Sequence, residues 1–127
     1  PLADIESISD VNRFAWPDPS LYRYDDALSK ATAYTQFAVR GPYWKPLFCQ
    51  TCSLMGMEES MIKMMTEPIL FETVVDKIYE YTYGYCQRFI QTLNNHLDIF
   101  YLGDDFAGQN GLLIPPDVWR KVFKPRY

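Results

Sequence analysis

The clearest periodic pattern in the chain is a stripe of apolar residues that follows Pro68. Apolar side chains recur there at spacings of three and four residues: Phe71, Val74, Val75, Ile78, Tyr85, Cys86, Phe89, Ile90 and Leu93. Pro68 suits a first helical turn because its missing N–H would have no intrahelical partner there. Asn94-Asn95 closes the stripe. The pattern predicts one long amphipathic helix that buries a single face.

Two short apolar runs predict β-strands. One covers residues 36–40 and is closed by Gly41-Pro42, and the other covers residues 98–102. Weaker patterns predict helices over residues 21–33 with Ser20 as cap, over 44–55 with an interruption at Pro46, over 58–66, and after Pro115-Pro116. Residues 1–20 are expected to form an ordered loop with at most one helical turn.

This order of elements predicts an α/β fold with parallel strands. Two strands joined by long helical crossovers normally lie parallel, because only a long connection can bring the chain back to start a second strand in the same direction. A parallel sheet is covered on both faces and does not stand alone as two strands. We therefore expect either further strands in the chain or a sheet that continues beyond it.

Composition narrows the classes of partner. The chain has 127 residues with a net charge of −4, which disfavours nucleic acid because phosphate binding needs a basic face. Aromatic residues make up 17% of the chain, which favours packing against a flat ligand, a partner or further parts of the fold. No apolar run approaches the roughly 18 residues of a membrane span. Three cysteines without disulfide spacing favour the cytoplasm.

The loop after the second predicted strand contains the first candidate site. Asp104 and Asp105 leave the strand as neighbours, so their side chains point in different directions. One could face a ligand while the other accepts backbone N–H bonds, and Gln109 and Asn110 could add neutral hydrogen bonds to the same ligand. The alternative is a loop held by its own Asx turns.

Other residues offer further chemistry at the first predicted strand end. Arg40, with Tyr43 and Trp44, suits a planar anionic ligand, and the alternative is a turn with an exposed arginine. Cys49 and Cys52 form a Cys-x-x-Cys pair. Zinc would need about two more ligands, so buried or pocket-lining thiols are expected and no metal site is predicted. His96, the only histidine, is expected to bond the end of the long helix.

Several segments together resemble a known family. They are the acidic loop of residues 103–111 (GDDFAGQNG), the run Leu113-Ile114-Pro115-Pro116 with Trp119, the closing residues 123–127 (FKPRY) and the turn of residues 41–44 (GPYW). This combination resembles the uroporphyrinogen decarboxylase family, although Pro115 stands where that family usually has serine. The resemblance is specific mainly in the last quarter of the chain.

The resemblance implies a (β/α)8 barrel. Residues 1–127 would then form a single partial domain, a fragment with about two parallel barrel strands and long crossover helices. One branch of the family is a carbon–carbon lyase that decarboxylates the acetate arms of a tetrapyrrole in porphyrin biosynthesis. A second branch is a zinc-dependent methyltransferase that moves methyl groups between corrinoids and thiols.

The resemblance also assigns roles to residues of this chain. A position at the catalytic end of a barrel strand makes Asp105 and Asp104 the catalytic candidates, with Asp105 preferred because it lies deeper in the loop. The residue chemistry described above makes Gln109, Asn110, Arg40 and Trp44 the ligand-binding candidates, and the resemblance adds Cys52. Cys52 is the residue nearest to the position of the family's tyrosine. The chain lacks both the early Arg/Asp segment of the decarboxylases and the His-x-Cys zinc ligands of the methyltransferases.

The expected partners follow from these assignments. The isolated chain is expected to be inactive and to need no cofactor of its own, while zinc or a corrinoid would belong to the full-length parent. Its partners would be a small-molecule substrate, a tetrapyrrole or a corrinoid, and a second copy of the chain or the remainder of the barrel. A non-catalytic α/β interaction module that uses its aromatic residues as an interface remains the alternative from a different class.

Overall fold

The protein is a mixed α/β structure in which helices predominate. The computed structural model describes residues 1–44 and 46–127, and only the backbone of Tyr43. The elements in chain order are α1 Ile8–Arg13, α2 Tyr24–Ala33, β1 Arg40–Trp44, α3 Phe48–Met55, α4 Met57–Thr66, α5 Pro68–Leu93, β2 Ile99–Gly103, β3 Ala107–Gly108, β4 Gly111–Leu112 and α6 Pro116–Val118. Helical turns continue from α6 through Trp119–Phe123 and Lys124–Arg126.

The long helix α5 confirms the strongest prediction from the sequence. Phe71, Val74, Val75 and Ile78 are almost completely buried along one face of α5. Farther along the helix, Ile90 is exposed, contrary to its place in the apolar stripe. The second half of α5 extends past the main core and faces the small sheet, so its apolar face is only partly covered.

The two predicted strands exist and pair in parallel, but the first lies later in the chain than predicted. β1 pairs with β2 in parallel, with Arg40 opposite Ile99 and Trp44 opposite Gly103. Residues 36–39 are not in the strand, because the N–H of Phe37 turns back to the carbonyl of Tyr34 at 3.0 Å. The strand runs through Gly41-Pro42 instead of stopping there, and a proline without an N–H is tolerated at a sheet edge.

The start of the chain is more helical than predicted. A capping box between Ser7 and Asp10 opens α1 within the segment that was expected to be a loop. Ser20 does not cap α2, so that prediction was wrong. Pro19–Leu21 forms its own short turn, in which the N–H of Ser20 donates to Asp18 at 2.7 Å, and α2 begins only at Tyr24.

The helix predicted over residues 44–55 also begins later, at Phe48, because Trp44 belongs to β1. Part of that prediction falls on residue 45, outside the described residues. The predicted long loop of residues 103–111 contains the small antiparallel pair β3 and β4. The chain after β4 leads to Ile114 and Phe123, which are both buried in the main core. There the ring of Phe123 packs against Phe48 and Phe71.

The helices lie on one side of the parallel pair. Gly41 faces the ring of Phe89 on α5 so closely that a Cβ atom at residue 41 would lie 2.9 Å from that ring. Phe100 and Leu102 share this face with Gly41 through the strand register, and Phe100 is still 51% exposed there. The opposite face carries Arg40, Trp44, Ile99, Tyr101 and Gly103, and Trp44 and Ile99 are 52% and 48% exposed.

Among the described residues, no helix has both the length and the apolar character that crossing a membrane requires.

Candidate functional site

The candidate site lies where both parallel strands end. β1 ends at Trp44, and β2 ends at Gly103, which is the register partner of Trp44. Asp104 follows Gly103 directly, so Trp44 and Asp104 lie at the same edge of the sheet. In parallel α/β structures, ligands bind beyond the carboxyl ends of the strands. The sequence-predicted residues Trp44, Asp104 and Asp105 therefore lie at the edge where a site is expected.

Asp104 is engaged as a cap for a helix far away in sequence. Its carboxylate accepts backbone N–H bonds from Leu47 at 3.0 Å, Phe48 at 2.6 Å and Cys49 at 2.9 Å. These are N–H groups at the start of α3, which have no partner within the helix. A negative charge there also interacts favourably with the helix dipole. Asp104 thus ties the exit of β2 to the helix that follows β1.

The last residue of the chain reaches the same carboxylate. The hydroxyl of Tyr127 donates to Oδ2 of Asp104 at 2.8 Å. Burial of the phenol, the negative charge of Asp104 and this hydrogen bond all raise the pKa of Tyr127. The phenol therefore stays protonated and remains a donor across the physiological pH range. The Asp104 carboxylate has little capacity left for a ligand.

Asp105 differs from its neighbour. It is exposed, and its backbone N–H donates to Oδ1 of Asp104 at 3.1 Å. Within the described part of the chain, no hydrogen bond or ion pair engages the Asp105 carboxylate. Gln109 and Asn110 form the exposed turn between β3 and β4, and the structure shows no hydrogen bond between them and either aspartate. The carboxylate of Asp105 is therefore the available acidic group at this edge.

The uncovered face of the sheet carries an aromatic and cationic surface, which we call the platform: Arg40, Trp44, Tyr101 and Gly103. The rings of Trp44 and Tyr101 are parallel within 1° with centroids 6.0 Å apart. The guanidinium carbon of Arg40 lies 4.3 Å from the centroid of Tyr101. No carboxylate of the described residues pairs with Arg40. The side chain of Tyr43, also predicted for this site, is outside the described residues.

Tyr101 was not singled out by the sequence reasoning. The available signal was the alternation of faces along a strand, which places Tyr101 on the same face as Arg40 and Trp44 once the register is known. That register joins residues about sixty positions apart, and the misplaced first strand concealed it. The sequence pattern places Gly103 in the loop, whereas in the structure it is the last residue of β2.

The cysteines do not form a reactive pair in this structure. Burial, followed by the hydrogen bond with Asp104, raises the pKa of Cys49 to about 11. Burial also raises the pKa of Cys52, which lies half-buried on α3. Both thiols are therefore protonated near neutral pH and are poor nucleophiles. Cys52, a predicted ligand-binding residue, lies among the contacts of α3 with the core and not on the platform.

The remaining candidates lie away from the platform. His96 is exposed in the turn before β2, at the opposite end of the strand from Asp104. The described residues contain no group of three or more His, Cys, Asp or Glu side chains arranged to hold a metal ion. A groove of about 430 Å³ lies on the helix side of the sheet, and its lining includes Tyr83, Cys86, Ile90, Phe100 and Leu102.

No protein family, no curated protein and no solved structure matches this chain.

Proposed function

We propose that this chain is part of a cytoplasmic (β/α)8-barrel enzyme that resembles uroporphyrinogen decarboxylase and removes carboxylate groups from a tetrapyrrole. The observation that carries the proposal is that the described helices pack on the Gly41 face of the parallel pair, although Phe100 on that face is still 51% exposed, and that no described helix packs on the face of Arg40 and Trp44. A doubly wound sheet has helices on both faces, whereas a barrel has helices outside and strand side chains inside. The uncovered face with Arg40 and Trp44 would then point into the barrel.

The chemistry of that face fits a flat anionic substrate. An aromatic surface offers stacking to a ring system, and a guanidinium without a carboxylate partner offers paired hydrogen bonds to a substrate carboxylate. Arg40, Trp44 and Tyr101 supply both features within the same face. These contacts would orient the substrate before any bond is broken.

Asp105 has the position of an acid–base group at the strand ends. Decarboxylation breaks the bond between a carbon atom and its carboxylate, releases CO₂ and leaves an electron pair that must take up a proton. In this proposal Asp105 orients the acetate arm or assists that proton transfer, while Asp104 holds the loop by capping α3. The structural basis is the carboxylate of Asp105, which no described residue engages, in contrast to the several donors that occupy Asp104.

Binding to the purified chain tests the proposal. We expect uroporphyrin, a planar tetrapyrrole with carboxylate arms, to bind and to quench tryptophan fluorescence. Arg40→Gln and Trp44→Leu should each weaken binding, whereas Arg23→Gln, which changes an exposed arginine on another surface, should not. Failure of uroporphyrin to bind, or equal binding by all variants, would refute the ligand assignment. Preferential binding of a corrinoid would instead favour the methyltransferase branch.

Activity measurements in the full-length parent test the role of Asp105. Removing a positioned acid or base commonly lowers the rate by about 10²–10⁴, so Asp105→Ala should lower decarboxylation by that range. The control is Asp25→Ala, which removes an exposed aspartate on α2 and should retain activity. An Asp105→Ala enzyme with the wild-type rate would exclude this residue from the chemistry.

A further inference from the structure

We infer that Tyr101 and Gly103 are positioning residues that hold Arg40 and Trp44 in the arrangement that receives the ligand. The nature of the ligand rests on the proposed function, but the geometry of the platform does not. Neither residue was expected from the sequence, and neither contributes to the hydrophobic core of the described residues. Their contacts are instead directed at the uncovered face of the sheet.

Gly103 provides the space in which the two rings meet. A Cβ atom at residue 103 would lie 2.6 Å from the ring of Trp44 and would also collide with the hydroxyl of Tyr101. Real Cβ atoms do not approach neighbours this closely, so any side chain at this position must displace at least one ring. The backbone of Gly103 is in an ordinary strand conformation. The absence of a side chain, and not backbone freedom, is therefore what this position requires.

Tyr101 links the two ligand-binding candidates. Arg40 and Trp44 are four residues apart on β1, a separation of about 13 Å along a strand. Tyr101 lies opposite Pro42, midway between them, with the guanidinium of Arg40 near its ring and the indole of Trp44 parallel to it. A cation near an aromatic face and a pair of parallel rings are each favourable. Tyr101 thus restrains both partners at once.

The resulting surface selects for a particular shape of ligand. A ring system stacked on Trp44 could place a peripheral carboxylate toward Arg40 only if the carboxylate projects from the edge of the ring. Without Tyr101, Arg40 would be a flexible side chain that adopts many rotamers, and its loss of freedom would then oppose binding. Tyr101 is therefore expected to affect ligand affinity through preorganisation, without being a catalytic residue.

Fluorine NMR of the full 127-residue chain labelled with fluorotryptophan tests the positioning directly and without ligand. The chain contains Trp16, Trp44 and Trp119, and Trp44→Phe identifies the platform signal. We expect Gly103→Ala and Tyr101→Leu to shift the Trp44 signal while the other two signals stay in place. The matched control is Gly108→Ala, whose added Cβ would make only an ordinary contact, 3.6 Å from Leu113.

Titration with uroporphyrin gives the second measurement on the same proteins. The combined loss of ring and cation contacts should weaken binding about tenfold in Gly103→Ala and Tyr101→Leu. Tyr101→Phe keeps the ring and should rescue both the Trp44 signal and the affinity to within about twofold. If Gly103→Ala unfolds the chain, the comparison of Tyr101→Leu with Tyr101→Phe tests the inference.

The outcomes separate the two proposals. An unchanged Trp44 signal in Tyr101→Leu would overturn the positioning role of Tyr101, whether or not uroporphyrin binds. A shifted Trp44 signal with no binding of uroporphyrin by the wild-type chain would support the positioning role and overturn the proposed ligand. A shifted signal with unchanged affinity would show that the platform is not the binding surface, which would also overturn the inference.

Discussion

Two adjacent aspartates have contrasting environments at the scale of single residues. Asp104 accepts N–H bonds at the start of α3 together with the hydroxyl of Tyr127, while the carboxylate of Asp105 is exposed. The two residues share their type and their position in a loop, so neither property separates a structural carboxylate from a reactive one. What separates them is the number of donors that each carboxylate already satisfies.

Replacing Asp104 should reduce stability much more than replacing Asp105. Asp104→Ala removes the cap from α3 and leaves several N–H groups without an acceptor, which we expect to cost about 2 kcal/mol. Asp105→Ala should change stability by no more than about 0.5 kcal/mol, because it removes an exposed side chain without a partner. Urea denaturation of both variants measures the difference. Equal losses would contradict the capping role.

The different roles of Asp104, which caps α3, and Asp105, which is exposed, could be predicted from the sequence only in part. Neighbouring residues at a strand end point in different directions, so one cap and one free carboxylate was a sound expectation. Asp105 is preferred for function only because it lies deeper in the loop. The capping by Asp104 leaves no local signal, because the N–H groups that it accepts belong to residues 47–49, more than fifty positions earlier. Arg40 and Trp44 were likewise recognised, but Tyr101, which joins them, required the strand register.

The buried thiol of Cys86 should make stability depend on alkaline pH. Cys86 is 7% exposed, and burial raises its pKa from 9.0 to about 11. The folded state therefore favours the protonated thiol, so this contribution is present below pH 9 and is lost as the pH rises toward 11. The difference between these two pKa values corresponds to about 3 kcal/mol. Denaturation from pH 8 to 11 should show a steeper decline for the wild type than for Cys86→Ala, and equal slopes would exclude this contribution.

At the scale of elements, a helix or strand is easier to predict from the sequence when its hydrophobic pattern repeats over more residues. α5 repeats its apolar spacing over many turns, so its bounds emerge from the sequence alone. β1 contains Gly41 and Pro42, residues that normally end strands, and forms only because β2 supplies the pairing. α1 is longer than the single helical turn expected somewhere in residues 1–20, and its position was not predicted, because its capping box precedes only one buried residue, Val11. Long-range pairing and short capped helices leave little local signal.

Gly56 joins two helices and should be sensitive to any side chain. It has a φ of 90°, ends α3 through its N–H bond to Cys52 and precedes α4. A Cβ at residue 56 would meet no atom within 4 Å, so the cost of Gly56→Ala comes only from the backbone conformation. We expect a loss of about 2 kcal/mol. Gly108→Ala is the control by urea denaturation, and equal stability of the two variants would refute the argument.

At the scale of the whole molecule, the sheet is the least complete part of the structure. Two parallel strands have helices on one face, while the other face exposes Trp44 and Ile99. Strand edges with unpaired backbone groups favour pairing with another chain. Parallel sheets are normally covered on both faces. Both properties support the proposal that further barrel strands continue this sheet in the parent enzyme.

The isolated chain should therefore associate with itself through the sheet. We expect sedimentation at micromolar concentration to give a mass above the 14.9 kDa of one chain. Ile99→Lys places a charge on the uncovered face and should shift the population toward the monomer. Leu21→Lys is the matched control, because Leu21 is 80% exposed on a different surface.

The control distinguishes a specific face from general apolar exposure. If both variants reduce association equally, the contact does not depend on the sheet. If the wild type is a monomer at every concentration tested, the uncovered face is stable in water, and the non-catalytic α/β module becomes the better description of the chain. Association that only Ile99→Lys disrupts would support a sheet that needs more strands, because the charge acts on the one face that the helices leave open.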